Sequence, residues 1–259
     1  MRSLNLKKNT WFSGFGRLAR HGFLTIFAFV IGGCGLSPRT DNPIATISLS
    51  TDERKSKTLI VMLPGRGDRA ESFRTAGFLD TAEDQAFDVI AVDAHLGYYK
   101  ERNLIPRLHN DVIVPAKQDG YEKIWLLGIS MGGFGSLLYA EQHPGLVDGI
   151  ILLAPYLGDP GLASEIVASG GLASWSGEES QFMEHEVAIW QWLKNSRNES
   201  DHVPILLGYG LSDRFAGNYG PLQDEIEGLT IYTEDGGHKW TTWSNLWTRI
   251  LSDISQREK

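Results

Sequence analysis

The sequence predicts an α/β architecture, a mostly parallel central sheet with helices on both faces and a short cap segment. Three observations predict it. Short β-branched apolar runs recur along the chain, and stretches compatible with helices separate them, so that strand and helix alternate. The runs are apolar at nearly every position rather than at every second one, as central strands covered on both faces must be. The composition, 259 residues with 42% hydrophobic and 22% charged, suits one globular domain able to bury its own core.

Taken in order, the chain begins with a segment that stands apart from the fold. Residues 1–21 carry Arg2, Lys7, Lys8, Arg17 and Arg20 and no acid; an apolar run follows from Phe23 to Ile31, and Gly32, Gly33 and Cys34 close it. A basic start, a short apolar stretch and small residues before a cleavage point make a secretory leader. The run is shorter than the roughly 20 apolar residues that cross a bilayer. Ile31-Gly32-Gly33-Cys34 resembles a bacterial lipoprotein signal, which implies that residues 1–33 are removed and that Cys34, the single cysteine, carries lipid on the cell envelope. An ordinary signal peptide or an uncleaved anchor are the alternatives. Gly14 to Ala19 matches a dinucleotide fingerprint only as a string, since no strand precedes it. Residues 34–43, rich in Ser, Pro, Asp and Asn, read as a tether.

The domain proper is expected over residues 44–259. Strands are expected at Ile44 to Leu49, Thr58 to Leu63, Asp88 to Val92, Lys123 to Leu127, Gly149 to Leu153, Val203 to Leu207 and Leu229 to Tyr232. Helices are expected at Ala70 to Phe87, Leu104 to Asp119, Gly132 to His143 and Lys239 to Ser255. The interval of about 157–202 is too long for a simple crossover and carries Trp175, Phe182, Trp190 and Trp192 beside several glutamates. It reads as a cap or lid over the strand ends, or as a crossover helix with a surface loop. Val187 to Leu193 has helical composition.

A net charge of −8, without a Lys/Arg-rich run in the body, argues against a nucleic-acid partner and leaves small molecules open. No H-E-x-x-H, paired cysteine or Walker pattern suggests a metal or a nucleotide, so neither metal nor cofactor is expected. Glu178, Glu179, Glu184 and Glu186 are expected on the solvated face of the cap segment.

The chemistry is concentrated after the strand at Lys123. Gly128-Ile129-Ser130-Met131-Gly132 is a G-x-S-x-G sequence between a strand and a helix. A turn this sharp forces the serine into strained backbone angles, and its neighbours two residues away on either side must lack side chains. The following helix aims its N-terminal amides at the same point, so Ser130 is the expected nucleophile and the Met131 amide an expected oxyanion donor. A second donor is expected in Pro64-Gly65-Arg66-Gly67-Asp68, after an earlier strand, with the Arg66 amide as the candidate. The Arg66 side chain could meet an anionic group of a substrate, or could pair with Asp68 or Glu71.

A serine hydroxyl needs a base and a carboxylate to orient that base. Of seven histidines, His238 follows the last strand and precedes the last helix, where a loop can bring it over the strand tips. Asp213, after the strand at Val203, is the expected acid; Asp159 is the alternative. Residues that flank strand ends or catalytic loops, namely His95, Tyr98, Tyr156, Trp175, Phe215 and Trp240, are candidate pocket walls.

On these motifs, residues 44 to about 255 resemble the α/β-hydrolase superfamily. Ser130 to Leu137, with His143-Pro144 and Val147-Asp148-Gly149, is similar to the esterase-D-like and feruloyl-esterase-like branches. Leu63 to Asp68 is closer to the carboxylesterase and lysophospholipase branch, whose motif begins with histidine where this chain has Pro64. The resemblance implies hydrolysis of a small-molecule ester through an acyl-serine. An acyltransferase or thioesterase on the same triad, and an envelope binding lipoprotein that has lost catalysis, are the alternatives.

Overall fold

The computed structural model describes residues 39–40, 42–49, 56–195, 203–223, 226 and 228–257. The chain divides into Met1–Leu36 and Ser37–Lys259, and every described residue belongs to the second unit. The expected leader, Cys34 and most of the tether lie outside the described residues.

The strands are β1 (Thr46–Ser48), β2 (Thr58–Leu63), β3 (Asp88–Val92), β4 (Lys123–Ile129), β5 (Gly149–Leu153), β6 (Ile205–Gly210) and β7 (Leu229–Glu234). Among the described residues they form one sheet in the order β1-β3-β2-β4-β5-β6-β7. β1 runs antiparallel to β3, pairing Ile47 with Ala91, and the other pairs are parallel. Every residue of β2, β5 and β6 is buried, so both faces of the sheet are covered, as their unbroken apolar sequences require.

The chain moves outward from β2 to β3, then crosses back to place β4 on the other side of β2. Such a reversal leaves a crevice at the carboxyl ends of the two strands. The loops after β2 and β4, which carry Arg66 and Ser130, flank that crevice.

The helices are α1 (Ala70–Thr75), α2 (Phe78–Asp84), α3 (Leu96–Lys100), α4 (Leu104–Leu108), α5 (Val114–Gln118), α6 (Met131–Gln142), α7 (Pro160–Ala168), α8 (Glu184–Asn195) and α9 (Trp240–Arg257). α6 packs on β2, β4 and β5 and against α4 and α8, while α9 packs on β5, β6 and β7 and against α2. Trp247 of α9 anchors the second group: its ring stacks on Phe78 with centroids 5.6 Å apart, and its indole N–H donates to the Phe78 carbonyl at 3.1 Å.

Three expected elements change. The single helix over Ala70 to Phe87 is two, because Gly77 takes a left-handed φ of 77° that ends one helix and starts the next. The helix over Leu104 to Asp119 carries a π-helical turn at His109–Ile113, just before Pro115, which has no N–H for the ladder. β1 is only three residues long, shorter than the run Ile44 to Leu49. The expected cap interval holds α7 and α8 joined by a loop, with Trp190 and Leu193 buried.

Candidate active site

Ser130 sits between β4 and α6 with φ 51° and ψ −114°, a conformation outside the regions open to ordinary L-residues. Backbone strain of this kind costs about 1–3 kcal/mol and persists only where its surroundings enforce it. Here three amides hold the turn: the Ser130 carbonyl accepts from Gly133 at 3.0 Å, Phe134 at 3.4 Å and Tyr156 at 2.9 Å. The Ser130 amide donates to the Leu153 carbonyl of β5 at 3.0 Å. A Cβ at Gly128 would lie 2.4 Å from the Gly132 carbonyl, and one at Gly132 only 2.0 Å from the Leu63 carbonyl oxygen. Both partners are backbone, so neither position admits a side chain without moving a strand end.

The candidate acid and base, Asp213 and His238, come from the loops after β6 and β7. His238 Nδ1 and Asp213 Oδ2 are 2.9 Å apart, and the Asp213 side chain is fully buried. The other oxygen, Oδ1, accepts from the Phe215 amide at 2.9 Å. A carboxylate accepts at Nδ1, so the imidazole proton resides there and Nε2 keeps the lone pair that a base requires. Two aromatic rings meet the imidazole at right angles, Phe215 at 5.2 Å and Trp243 at 4.9 Å. The two loops are laced together by the Ser212 amide, which donates to Gly236 O at 2.8 Å, and by Leu211, which donates to Glu234 O at 2.9 Å. Asp159, the other candidate acid, instead caps α7, its Oδ1 accepting from the Gly161 amide at 2.8 Å.

The loop after β2 lies against the Ser130 turn: a Cβ on Gly65 would be 3.5 Å from Ser130 Cβ. Asp68 donates its amide to Gly65 O at 3.1 Å, closing a turn in which Gly67 takes φ 90°. Arg66 stands at the second position of that turn, where its own amide is not used to close it. Met131 opens α6, so its amide is one of the first-turn donors without an intrahelical acceptor.

Of the expected pocket walls, Tyr156 donates its amide to the Ser130 carbonyl, Phe215 meets the His238 ring, and their own rings are 5.9 Å apart. Trp240 donates its indole N–H to Asp68 at 3.3 Å and ties the last helix to the loop after β2. His95 caps α3, accepting the Gly97 amide on Nδ1 at 3.1 Å, and packs on buried Tyr98 at 4.5 Å. Burial, and then the Arg69 charge, lower the His95 pKa. Trp175 goes elsewhere: it is buried within the segment after β5 and donates to Glu165 at 2.7 Å.

Several residues here were not singled out from sequence. Tyr99 donates its hydroxyl to the Met131 carbonyl at 3.1 Å, bracing the start of α6. Trp243 packs on His238, one helical turn after Trp240, a spacing that the α9 pattern could have offered. A correction applies to Glu186: expected on a solvated face, it is buried and accepts the Tyr156 hydroxyl at 2.9 Å. Burial and then that bond raise the Tyr156 pKa.

The α/β hydrolase fold family model matches residues 58–197, more than half of the chain. No curated protein sequence matches it. Among solved structures, Est1E from Butyrivibrio proteoclasticus is similar with a TM-score of 0.58 at 15% identity, covering 82% of this chain and 92% of its own. The S-formylglutathione hydrolase FrmB from Staphylococcus aureus gives 0.58 at 17%, covering 85% of this chain and 100% of its own. FphF, a fluorophosphonate-binding serine hydrolase of Staphylococcus aureus, gives 0.56 at 16%, covering 83% and 99%.

Proposed function

Because the chain belongs to the α/β hydrolase fold family, we propose that it is a serine hydrolase that cleaves carboxylic esters through an acyl-serine intermediate. Ser130 Oγ attacks the acyl carbonyl as His238 Nε2 takes its proton, and the Met131 and Arg66 amides receive the developing oxyanion. Collapse of the tetrahedral intermediate expels the alcohol, which regains the proton from His238. Water, activated by the same imidazole, then releases the acid. Asp213 fixes the tautomer and stabilises the imidazolium throughout.

The observation that carries this reading is the Asp213–His238 couple at 2.9 Å, formed between two strand-end loops on the same edge of the sheet as a serine held at φ 51°. No purely structural role needs both. The test is hydrolysis by the purified protein of aryl esters of graded chain length. Turnover that disappears in Ser130→Ala supports the reading, and equal turnover in that variant overturns it.

The proposal extends to cellular location: Cys34 carries lipid, and residues 1–33 are absent from the mature protein. Its support is the acid-free basic start, the apolar run and the two glycines before the single cysteine. Detergent partitioning that is lost in Cys34→Ser, with an intact mass lacking residues 1–33, is the expected result. Retained partitioning with the full mass makes the segment an uncleaved anchor.

A further inference from the structure

Beside the loop after β2 lies a cavity of about 300 Å³, lined by Arg66, Asp68, Arg69, His95, Gly97 and Lys100 among others. We propose that this cavity binds an anionic group, a carboxylate or a phosphate, carried by the substrate itself. The inference rests on the ester-hydrolase reading and names the substrate class.

The charge balance comes first. Arg69 is held by Asp93 through a bidentate pair, its Nε donating to Oδ1 at 2.6 Å and its Nη2 to Oδ2, so those two charges cancel. Asp68 contributes one negative charge, and its Oδ1 is already engaged by Ser72 at 3.2 Å and Trp240 at 3.3 Å. Arg66 and Lys100 remain. Neither has a carboxylate partner among the described residues; Glu71, within reach in sequence of Arg66, pairs with Arg74 at 3.1 Å. The residues that line the cavity therefore carry a surplus of positive charge on a chain whose net charge is −8, and Glu101, near enough to act on His95, is engaged by the Thr40 hydroxyl. A guanidinium and an ammonium across a concavity match the oxygens of a carboxylate or phosphate.

The neutral donors agree. His95 accepts the Gly97 amide on Nδ1, which places its own proton on Nε2 as a donor. Its pKa is lowered by burial, so near neutral pH the ring is a donor without being another charge.

Position makes the cavity part of the reaction site. Gly65 approaches Ser130, and the next residue, Arg66, lines the cavity. The backbone of this turn would face the reacting carbonyl while its side chain faces the cavity. A substrate with an ester at Ser130 and an anionic group a few bonds away would meet both.

The experiment compares aryl esters matched in length: neutral, with a terminal carboxylate on the acyl chain, and with a carboxylate or a phosphate on the alcohol. The expected result is that at least one anionic ester exceeds the neutral one in kcat/KM by about tenfold or more, the worth of one charged hydrogen bond, through a lower KM that rises with salt. Lys100→Glu should erase that ratio. Lys57→Gln, which removes a positive charge at the opposite end of β2, should leave the ratio in place. Equal kcat/KM for all the esters overturns the proposal, as does loss of the ratio in Lys57→Gln, which would trace it to overall charge. A separate readout covers failure of the ester reading: calorimetric binding of glutarate and of inorganic phosphate to Ser130→Ala. If no ester is turned over, binding of either anion that Lys100→Glu abolishes sustains the cavity assignment, and binding of neither contradicts it.

Discussion

The two halves of the candidate active site are held in different ways. The serine half is set around one short motif: Gly128 packs on the Gly132 and Gly133 backbone, Gly132 on the Leu63 backbone at the end of β2, and Gly133 on Pro155. The acid and base half is assembled from a distance. Asp213 and His238 come from loops after different strands, and an amide from one loop, a buried carboxylate and two aromatic edges set the imidazole. A local steric constraint leaves a short, dense motif in the sequence. A long-range one leaves only residue types in a plausible order.

The largest effect expected from breaking this comparison is loss of turnover. Ser130→Ala and His238→Ala should each reduce kcat/KM by up to about 10⁶-fold, and the double variant should be hardly worse than either, because the two groups act as one unit. Additive losses would mean that the halves do not work together. Asp213→Asn should follow at up to about 10⁴-fold, since an amide in place of the carboxylate favours the wrong imidazole tautomer. Wild-type rates in that variant, read beside an inactive Asp159→Asn, would assign the acid to Asp159.

A smaller effect separates steric from conformational roles. Alanine in place of glycine within a helix ordinarily gains up to about 1 kcal/mol. At Gly132 the added Cβ would lie 2.0 Å from Leu63 O, and overpacking against backbone that cannot yield costs about 1–3 kcal/mol. Gly132→Ala should therefore lower the unfolding free energy and also kcat, because Leu63 leads into the loop that carries Arg66. Gly217, with nothing within 4 Å of its would-be Cβ, is the control, and Gly217→Ala should stay within about 0.5 kcal/mol of the parent. If urea titrations find the two equally benign, the elbow is not sterically fixed.

The smallest effect concerns the far end of α6, where His143 caps the helix and stacks on His109 with ring centroids 4.4 Å apart. His109 Nδ1 meets the Tyr139 hydroxyl at 3.0 Å. Burial, and then the His109 charge, hold the His143 pKa below its ordinary value. The unfolded chain thus takes up the proton first. Stability is fully present above about pH 6.5, the unfolded value, and declines as pH falls toward the lower folded value. Urea midpoints should drop between about pH 7.5 and about pH 5.5, less so in His143→Asn. Asp93 acts in a lower window: burial opposes its charge, but the Arg69 hydrogen bond prevails and its pKa is lowered. Its contribution is present above about pH 4 and is lost as pH falls through its folded pKa.

Much of this was legible in the sequence. Near-continuous apolar runs located β2, β4, β5 and β6 because strands buried on both faces over most of their length admit little else, and G-x-S-x-G between a strand and a helix located the turn. The break at Gly77 was less visible, since glycine within a helical pattern marks an interruption only when the chain actually takes positive φ. Tyr99 is not legible and Glu186 reads as solvated because their partners, Met131 O and the Tyr156 hydroxyl, lie 32 and 30 residues away, whereas Trp243 lies only five residues from the His238 ring it packs on. Trp175 was read as a wall because it is large and near a strand end, but an indole that donates to Glu165 serves its own segment equally well. Side-chain partners separated by tens of residues leave no periodic trace.

The central claim is that Ser130 is a nucleophile activated by His238. Its most direct measurement is the rate and position of phosphonylation by a fluorophosphonate, followed by intact mass and peptide mapping. The expected result is a single adduct on Ser130, absent in Ser130→Ala and slowed by about 10³-fold or more in His238→Ala, in line with loss of a general base. An adduct on another serine, or labelling of Ser130 at the same rate without His238, would contradict it.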